Sequence, residues 1–522
     1  MFIKFCLYAF IILFIFPVSL TASAEEDGLN IIDMNLTQLR TALDKNEITS
    51  EELVKAYLSE IEKNNRRGKN INAVITINNA ALNEARNWDK QHKAGTKSQP
   101  LAGIPFLAKD NMNTKGIITS GGSIALAKNI PNQNAFVVQK LLDEGAILLG
   151  KTNLSELAAS YQWFGYSSFG GQTINPYNPL RNASGSSSGS AAAVAANFAP
   201  FALATDTSGS IREPAAVTNT VGFRPTFGLT SRSGVIPLSL TADVTGVITR
   251  NVMDQVIVID EMKGEDKNDA ATLFMPQFAD HFTDGFTQFT LKGKIIAVLD
   301  NFDKGNPDVD RVKEEAINHL KSAGALVTHI RLPSTYEKLW ETVLGPVGVA
   351  EFRPQFDSYL RLLADGQPKN SVEFMLSLKK LTEQGTIKIN PARFKGLEET
   401  LNSRTTDSPE YIRILSKTIP SLRTQLTDII SKGKYSAIMF PTVSCPASSL
   451  PGKSDPEYVC KSADPSAASY IASTTGFPQV TVPAGMAAGN APVGISFLGA
   501  PGADKQLLQL SFLFEQLINI PH

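Results

Sequence analysis

The sequence predicts an α/β protein, with helices laid over a mixed β-sheet. Three observations carry this. Short apolar, β-prone runs alternate with helical stretches along most of the chain. The 522 residues are 43% hydrophobic and 19% charged, enough to bury a large core. No Pro/Ser-rich linker, long charge run or fixed-period repeat breaks the chain. Length alone suggests roughly three domains, but one large domain, or one with an insertion, is expected.

Residues 1–24 read as a targeting leader and not as part of the fold. Lys4 gives a positive start, an apolar run follows to Leu20, and Ala22-Ser23-Ala24 is a small-x-small cleavage site. As a membrane anchor the run falls short of the ~20 apolar residues a bilayer needs, and Pro17 interrupts it. The expected mature chain is 25–522, exported to a bacterial periplasm or secreted, without stable membrane insertion. Net charge is −1, which argues against a basic nucleic-acid-binding face. Cys6 lies in the leader, and Cys445 and Cys460 remain. An exported compartment permits disulfides, so these two are expected to pair. Two cysteines without clustered histidines give no metal site, and no cofactor is expected.

Residues 36–64 read as two helices, the second capped by Ser50 with acidic residues in its first turn. Residues 72–77 are strand-like and 80–91 helical. Residues 101–109 form an apolar β-prone run ending in Lys109. At the end of a buried strand its charged form would be disfavoured, making it a usable base. On this stretch alone a solvated strand-end lysine is the favoured reading. Helix 135–144 precedes Gly145-Ala-Ile-Leu-Leu-Gly-Lys151-Thr152, which matches the phosphate-loop pattern letter for letter. The match is rejected, because its interior is itself an apolar strand and not an irregular cradle of N–H groups. Strands at 292–299 and 326–330 around helix 312–322 form a βαβ unit. Residues 336–433 are mostly helical and more charged, an expected substrate-side insertion or lid. Strands at 435–441, 480–483 and 493–498 and a helix at 504–517 close the chain.

The chain is organised around residues 182–214. Two clusters of small hydroxyl-bearing residues, 185–190 and 205–210, flank an Ala-rich helical segment. Gly and Ser let backbone approach a ligand and point N–H groups into a cavity. A flexible linker would share that composition, but not the apolar run after Ser190 or the ending Arg212-Glu-Pro214. Gly185-Ser-Ser187-Ser-Gly189 fits the nucleophile-elbow pattern, yet Pro176 and Pro179 stand where a strand is needed. None of His92, His281, His319, His329 and His522 sits in a recognisable motif. Ser377-Leu-Lys-Lys380 matches S-x-x-K, but without its companion motifs. Ser210 follows Asp206-Thr-Ser-Gly209. A turn there would set backbone N–H groups around a nucleophile, each oxyanion donor being worth roughly 3–4 kcal/mol. With no histidine in view, a neutral lysine is the next candidate base.

These residues resemble the amidase signature family. Its Gly-Gly-Ser-Ser-Gly-Gly motif is similar to 185–190, and its Asp-x-Gly-Gly-Ser-Ile-Arg-x-Pro motif to 206–214. Its Gly-Ile-Pro-x-x-x-Lys-Asp motif is 103–110, and stretches near 150, 222 and 476–494 also match. Ser186, Ser190 and Ser208 stand where the family has Gly. The resemblance implies a large mixed β-sheet covered by helices on both faces, the amidase signature fold. It implies a Ser-Ser-Lys triad: Ser210 as nucleophile, Ser187, preceded by a cis peptide bond, as relay, and Lys109 as base. Thr207, Ser208 and Gly209, with Ser210, would supply oxyanion N–H groups. Asp206, Arg212 and Ser188 would support the loop. The implied reaction is hydrolysis of a carboxamide through a serine acyl-enzyme. A leader suits a free-standing hydrolase, most like peptide amidases acting on C-terminal peptide amides, as monomer or homodimer, with no nucleic-acid partner. Two readings compete: a His-dependent esterase using Ser187, and a non-catalytic binding protein of the same fold.

Overall fold

Strands buried at every residue need cover on both faces. Pro105–Lys109, Ile147–Thr152, Phe201–Asp206 and Val244–Thr249 are such strands. The computed structural model describes residues 30–95, 99–275, 281–385, 388–403 and 406–518, so the leader 1–24 lies outside the described residues. Within them, one sheet holds β1 Val74–Ile77, β2 Pro105–Lys109, β3 Ile147–Thr152, β4 Phe201–Asp206, β5 Val221–Arg224 and β6 Val244–Thr249. It continues with β7 Ile295–Leu299, β8 Leu326–Ile330, β9 Tyr435–Pro441, β10 Gln479–Ala487 and β11 Ala491–Leu498. The order is β1-β3-β2-β4-β6-β5-β10-β11-β9-β7-β8. The runs β3-β2-β4 and β9-β7-β8 are parallel and the other neighbours antiparallel.

The period-two alternation of a strand divides its side chains between two cores. Ile296, Val298, Ala437 and Met439 enter one core, with Val312 and Leu320 of helix Pro307–Ser322. Ala297, Leu299, Ile438 and Phe440 enter the other, with Leu422 and Leu426 of helix Ile419–Gly433. Helices therefore cover both faces. The β7–helix–β8 unit is parallel. Residues 336–433 are helical for most of their length, including Gly345–Arg361, Ser371–Glu383 and Pro391–Leu401. Phe356, Phe374 and Leu397 from these helices pack with Leu157 and Ile236 of the body.

Two details differ from the sequence reading. Thr49, not Ser50, caps helix Ser50–Asn64, through a reciprocal capping box with Glu52. Ser50 instead donates to the Gly103 carbonyl at 2.7 Å. Residues 201–206, read only as part of the 182–214 stretch and given no secondary structure, form the central strand β4. Gly150, Lys151 and Thr152 of the phosphate-loop match lie inside β3, and Lys151 pairs with buried Asp110 at 3.2 Å.

Cys445 and Cys460 are joined in a disulfide across 15 positions. Reduction is expected to cost about 3 kcal/mol, the chain-entropy value for a loop of that size. Thermal unfolding with and without reductant checks this. No helix among the described residues is long and apolar enough to cross a membrane.

Candidate active site

Lys109 ends β2, and Asp206 ends its parallel neighbour β4. Parallel pairing brings both strand ends to one edge of the sheet, where the loops that follow can share a site. Helix Ser188–Ala195 packs on both strands, so the residues entering it, Ser186 and Ser187, arrive at the same edge. All three segments are buried because small side chains let them approach closely.

Lys109 is fully buried. Its Nζ lies 2.8 Å from each of Ser186 Oγ, Ser187 Oγ and Thr205 Oγ1. Its contacts are hydroxyls and, at 3.4 Å, the Thr205 carbonyl; Asp206 and Asp243 act on it only at a distance. Burial pushes its pKa down to about 7, against the pull of those two carboxylates. A free amine is therefore available near neutral pH. It has two hydrogens to donate and one lone pair.

The neighbours decide where that lone pair points. Ser187 donates its proton to the Thr205 carbonyl at 3.1 Å. Thr205 Oγ1 accepts from Asn111 Nδ2 at 3.0 Å. Ser186 Oγ has Lys109 as its only hydrogen-bond partner among the described residues. With the Ser187 proton on the Thr205 carbonyl, the lone pair is left to the hydroxyl protons of Ser186 and Thr205, and of these two oxygens Ser186 Oγ is the one with no other partner among the described residues. The cis peptide bond lies between Gly185 and Ser186, one bond earlier than expected.

Ser210 is 6% exposed and lines a cavity of about 690 Å³. Its hydroxyl has no hydrogen bond among the described residues, and its carbonyl accepts from the Ser187 N–H at 3.2 Å. In a free enzyme catalytic hydrogen bonds commonly tighten only when substrate arrives.

The loop before Ser210 is pinned by Asp206. Its Oδ1 accepts from Gly209 N–H and its Oδ2 from Ile211 N–H, both at 3.0 Å. Arg212 grips both oxygens, through Nε and Nη2 at 2.9 Å. Arg224 reaches Asp206 Oδ1 at 2.9 Å and the Asp206 carbonyl at 2.7 Å. Burial alone would raise the Asp206 pKa, but the two guanidiniums outweigh it and hold the carboxyl well below the usual range. Gly209 is thereby corrected as an oxyanion donor, because its N–H is already taken. The N–H groups of Thr207, Ser208 and Ser210 have no acceptor among the described residues. Among the described residues the buried Ser188 hydroxyl has no hydrogen-bond partner, and it packs against Gly165.

The cavity runs from Ser210 to the helical insertion at Trp340 and Phe352 and to the disulfide, and both cysteines line it. None of the four described histidines does, and His522 lies outside the described residues. Among the described residues a His-dependent esterase has no base here.

The amidase family model matches residues 52–508. The chain belongs to the amidase family. The peptide amidase of Stenotrophomonas maltophilia is similar in structure, with a TM-score of 0.83, 31% identity, and coverage of 94% of this chain and 98% of that one. An amidase family protein of Bacillus anthracis has a TM-score of 0.82 and 29% identity, covering 94% and 92%. A glutamyl-tRNA(Gln) amidotransferase subunit of Dehalococcoides mccartyi is 31% identical over 501 residues, 93% of this chain and 97% of that one. This amidase therefore carries out amide hydrolysis with a serine nucleophile, and the Ser-Ser-Lys triad is characteristic of its family.

Structure brings Lys109, Ser187 and the Asp206–Ser210 loop together, with Arg212 behind the loop. Sequence reasoning missed Ser186, Thr205, Asn111 and Arg224. Asn111 immediately follows the matched 103–110 and Arg224 stands inside the matched stretch near 222, so their polarity next to a motif residue was the available signal.

Proposed function

We propose that this amidase hydrolyses the C-terminal carboxamide of peptides, releasing ammonia. The observation that carries the mechanism is buried Lys109, ringed by three hydroxyls at 2.8 Å without a carboxylate partner. The Ser210 hydroxyl attacks the amide carbon. Its proton passes to Ser186 Oγ while the proton of Ser186 passes to the Lys109 amine. The N–H groups of Thr207, Ser208 and Ser210 receive the oxyanion. The C–N bond then breaks, and a proton returns from Lys109 through Ser186 to the departing nitrogen, giving ammonia. Water attacks the acyl-enzyme by the same relay, releasing acid and Ser210. We assign Ser186 and not Ser187 as the relay, because Ser187 commits its proton to Thr205. Ser187 holds the amine in place.

The similarity to a peptide amidase and a cavity of about 690 Å³ support a peptide substrate. Ammonia release from amidated and free-acid peptides tests the reaction. Ser186→Ala is expected to lose about 10³-fold in kcat, within the range for positioned proton transfer. Ser187→Ala is expected to stay at least tenfold more active than that. The reverse order returns the relay to Ser187. The leader-like residues 1–24 and the Cys445–Cys460 bridge support an exported enzyme, and cell fractionation with N-terminal sequencing tests this.

A further inference from the structure

The cavity wall beside Gly209 carries a carboxyl that the reaction does not use. Glu213 lies in helix Arg212–Val217, three positions after the nucleophile, and is 5% exposed. Its carboxyl packs against Gly209, where an added Cβ would collide with Glu213 Oε1. Asp464 lines the same cavity, and its Oδ1 accepts from the Ser466 N–H at 3.0 Å and the Tyr470 hydroxyl at 3.3 Å. The Tyr470 ring lies 5.6 Å from the ring of Trp340, which is 46% exposed. Two carboxyls and two aromatic rings thus line one cavity.

No cation is committed to these carboxyls among the described residues. Arg212 is nearby, but its guanidinium is spent on Asp206, Gln479, Ser469 and Ser473. Arg393, the one basic side chain lining the cavity among the described residues, stacks on Tyr161 and Phe352 in the insertion region. Burial raises the Glu213 pKa to about 8 and raises that of Asp464 as well. A negative charge beside a developing oxyanion works against the reaction. A cation brought by the substrate removes both penalties. Carboxylates combined with aromatic faces are the chemistry that recognises ammonium and guanidinium groups.

We propose that Glu213, Asp464, Trp340 and Tyr470 form a cation subsite, and that the preferred substrates are amides whose acyl part carries a protonated amine or guanidinium. The proposal rests on the amide-hydrolase reading above. It is tested with Nα-acetylated arginine, lysine, norleucine and glutamate α-amides. The kcat/KM for the basic amides is expected to exceed that for norleucine amide at least tenfold. Glu213→Gln, which keeps the shape and removes the charge, is expected to shrink that ratio at least fivefold, mainly through KM. Asp464→Asn, at a more exposed position, is the second variant and acts in the same direction. Equal turnover of basic and neutral amides overturns the proposal. So does a preference for glutamate amide, which points to Arg393, or a ratio that neither variant alters. Calorimetric titration of Ser210→Ala protein with arginine amide and norleucine amide reads the subsite without turnover. If wild-type protein releases ammonia from no amide, the hydrolase reading falls, and the calorimetric difference still decides the subsite.

Discussion

Lys109→Ala is expected to lower kcat about 10⁴-fold while the protein stays folded. The reason is specific to the environment of this lysine. Its charge is disfavoured by burial, and the groups within reach are hydroxyls that can pass a proton on. Lys109→Arg is expected to be as inactive as Ala, since a guanidinium stays charged and cannot accept a proton. Ammonia release in the steady state, with circular dichroism to confirm folding, checks both variants. An active Lys109→Arg enzyme would mean that the cation, and not the free amine, serves catalysis.

Asp206→Asn is expected to cost about 3–5 kcal/mol of stability, the usual result of removing one partner from a buried ion pair. It leaves Arg212 and Arg224 buried without their carboxylate and loosens the bonds that hold Gly209 and Ile211. Activity falls with it, because the turn that presents Ser210 loses its pin. The pH dependence has a definite sign. The carboxyl of Asp206 is held below its unfolded value, so its contribution is fully present above roughly pH 4 and disappears as pH falls toward the folded value. Denaturant unfolding of wild type and variant should therefore show a gap at pH 7 that narrows in acid. A constant gap would place the effect in packing and not in charge.

Much of this architecture can be read from the letters. The continuous apolar runs in 295–299 and 437–440 already imply a sheet buried on both sides. A lysine closing an apolar run and a serine after a Gly-containing turn mark the two ends of the proton path. What escapes is whatever depends on where a single proton goes. Placed on 185–190 or on 184–189, the family's Gly-Gly-Ser-Ser-Gly-Gly pattern keeps four of six letters either way. The contact from Ser187 to the Thr205 carbonyl, seen in the structure alone, tells the two serines apart. Gly209 reads as an oxyanion donor until its N–H is seen bonded to Asp206. Arg224 lies 18 positions from the carboxylate it grips, on another strand, where no local pattern announces the pairing. Glu213 occupies a variable place in a motif, and its meaning comes from burial against the cavity.

The central claim is that an uncharged Lys109 drives acylation of Ser210. It is tested most directly by the rate at which a fluorophosphonate labels Ser210 as a function of pH. The account predicts a rate that rises through about pH 7 to a plateau, set by the depressed lysine pKa, and that collapses in Lys109→Ala. Labelling that is flat across this range, or unchanged in the variant, would contradict it.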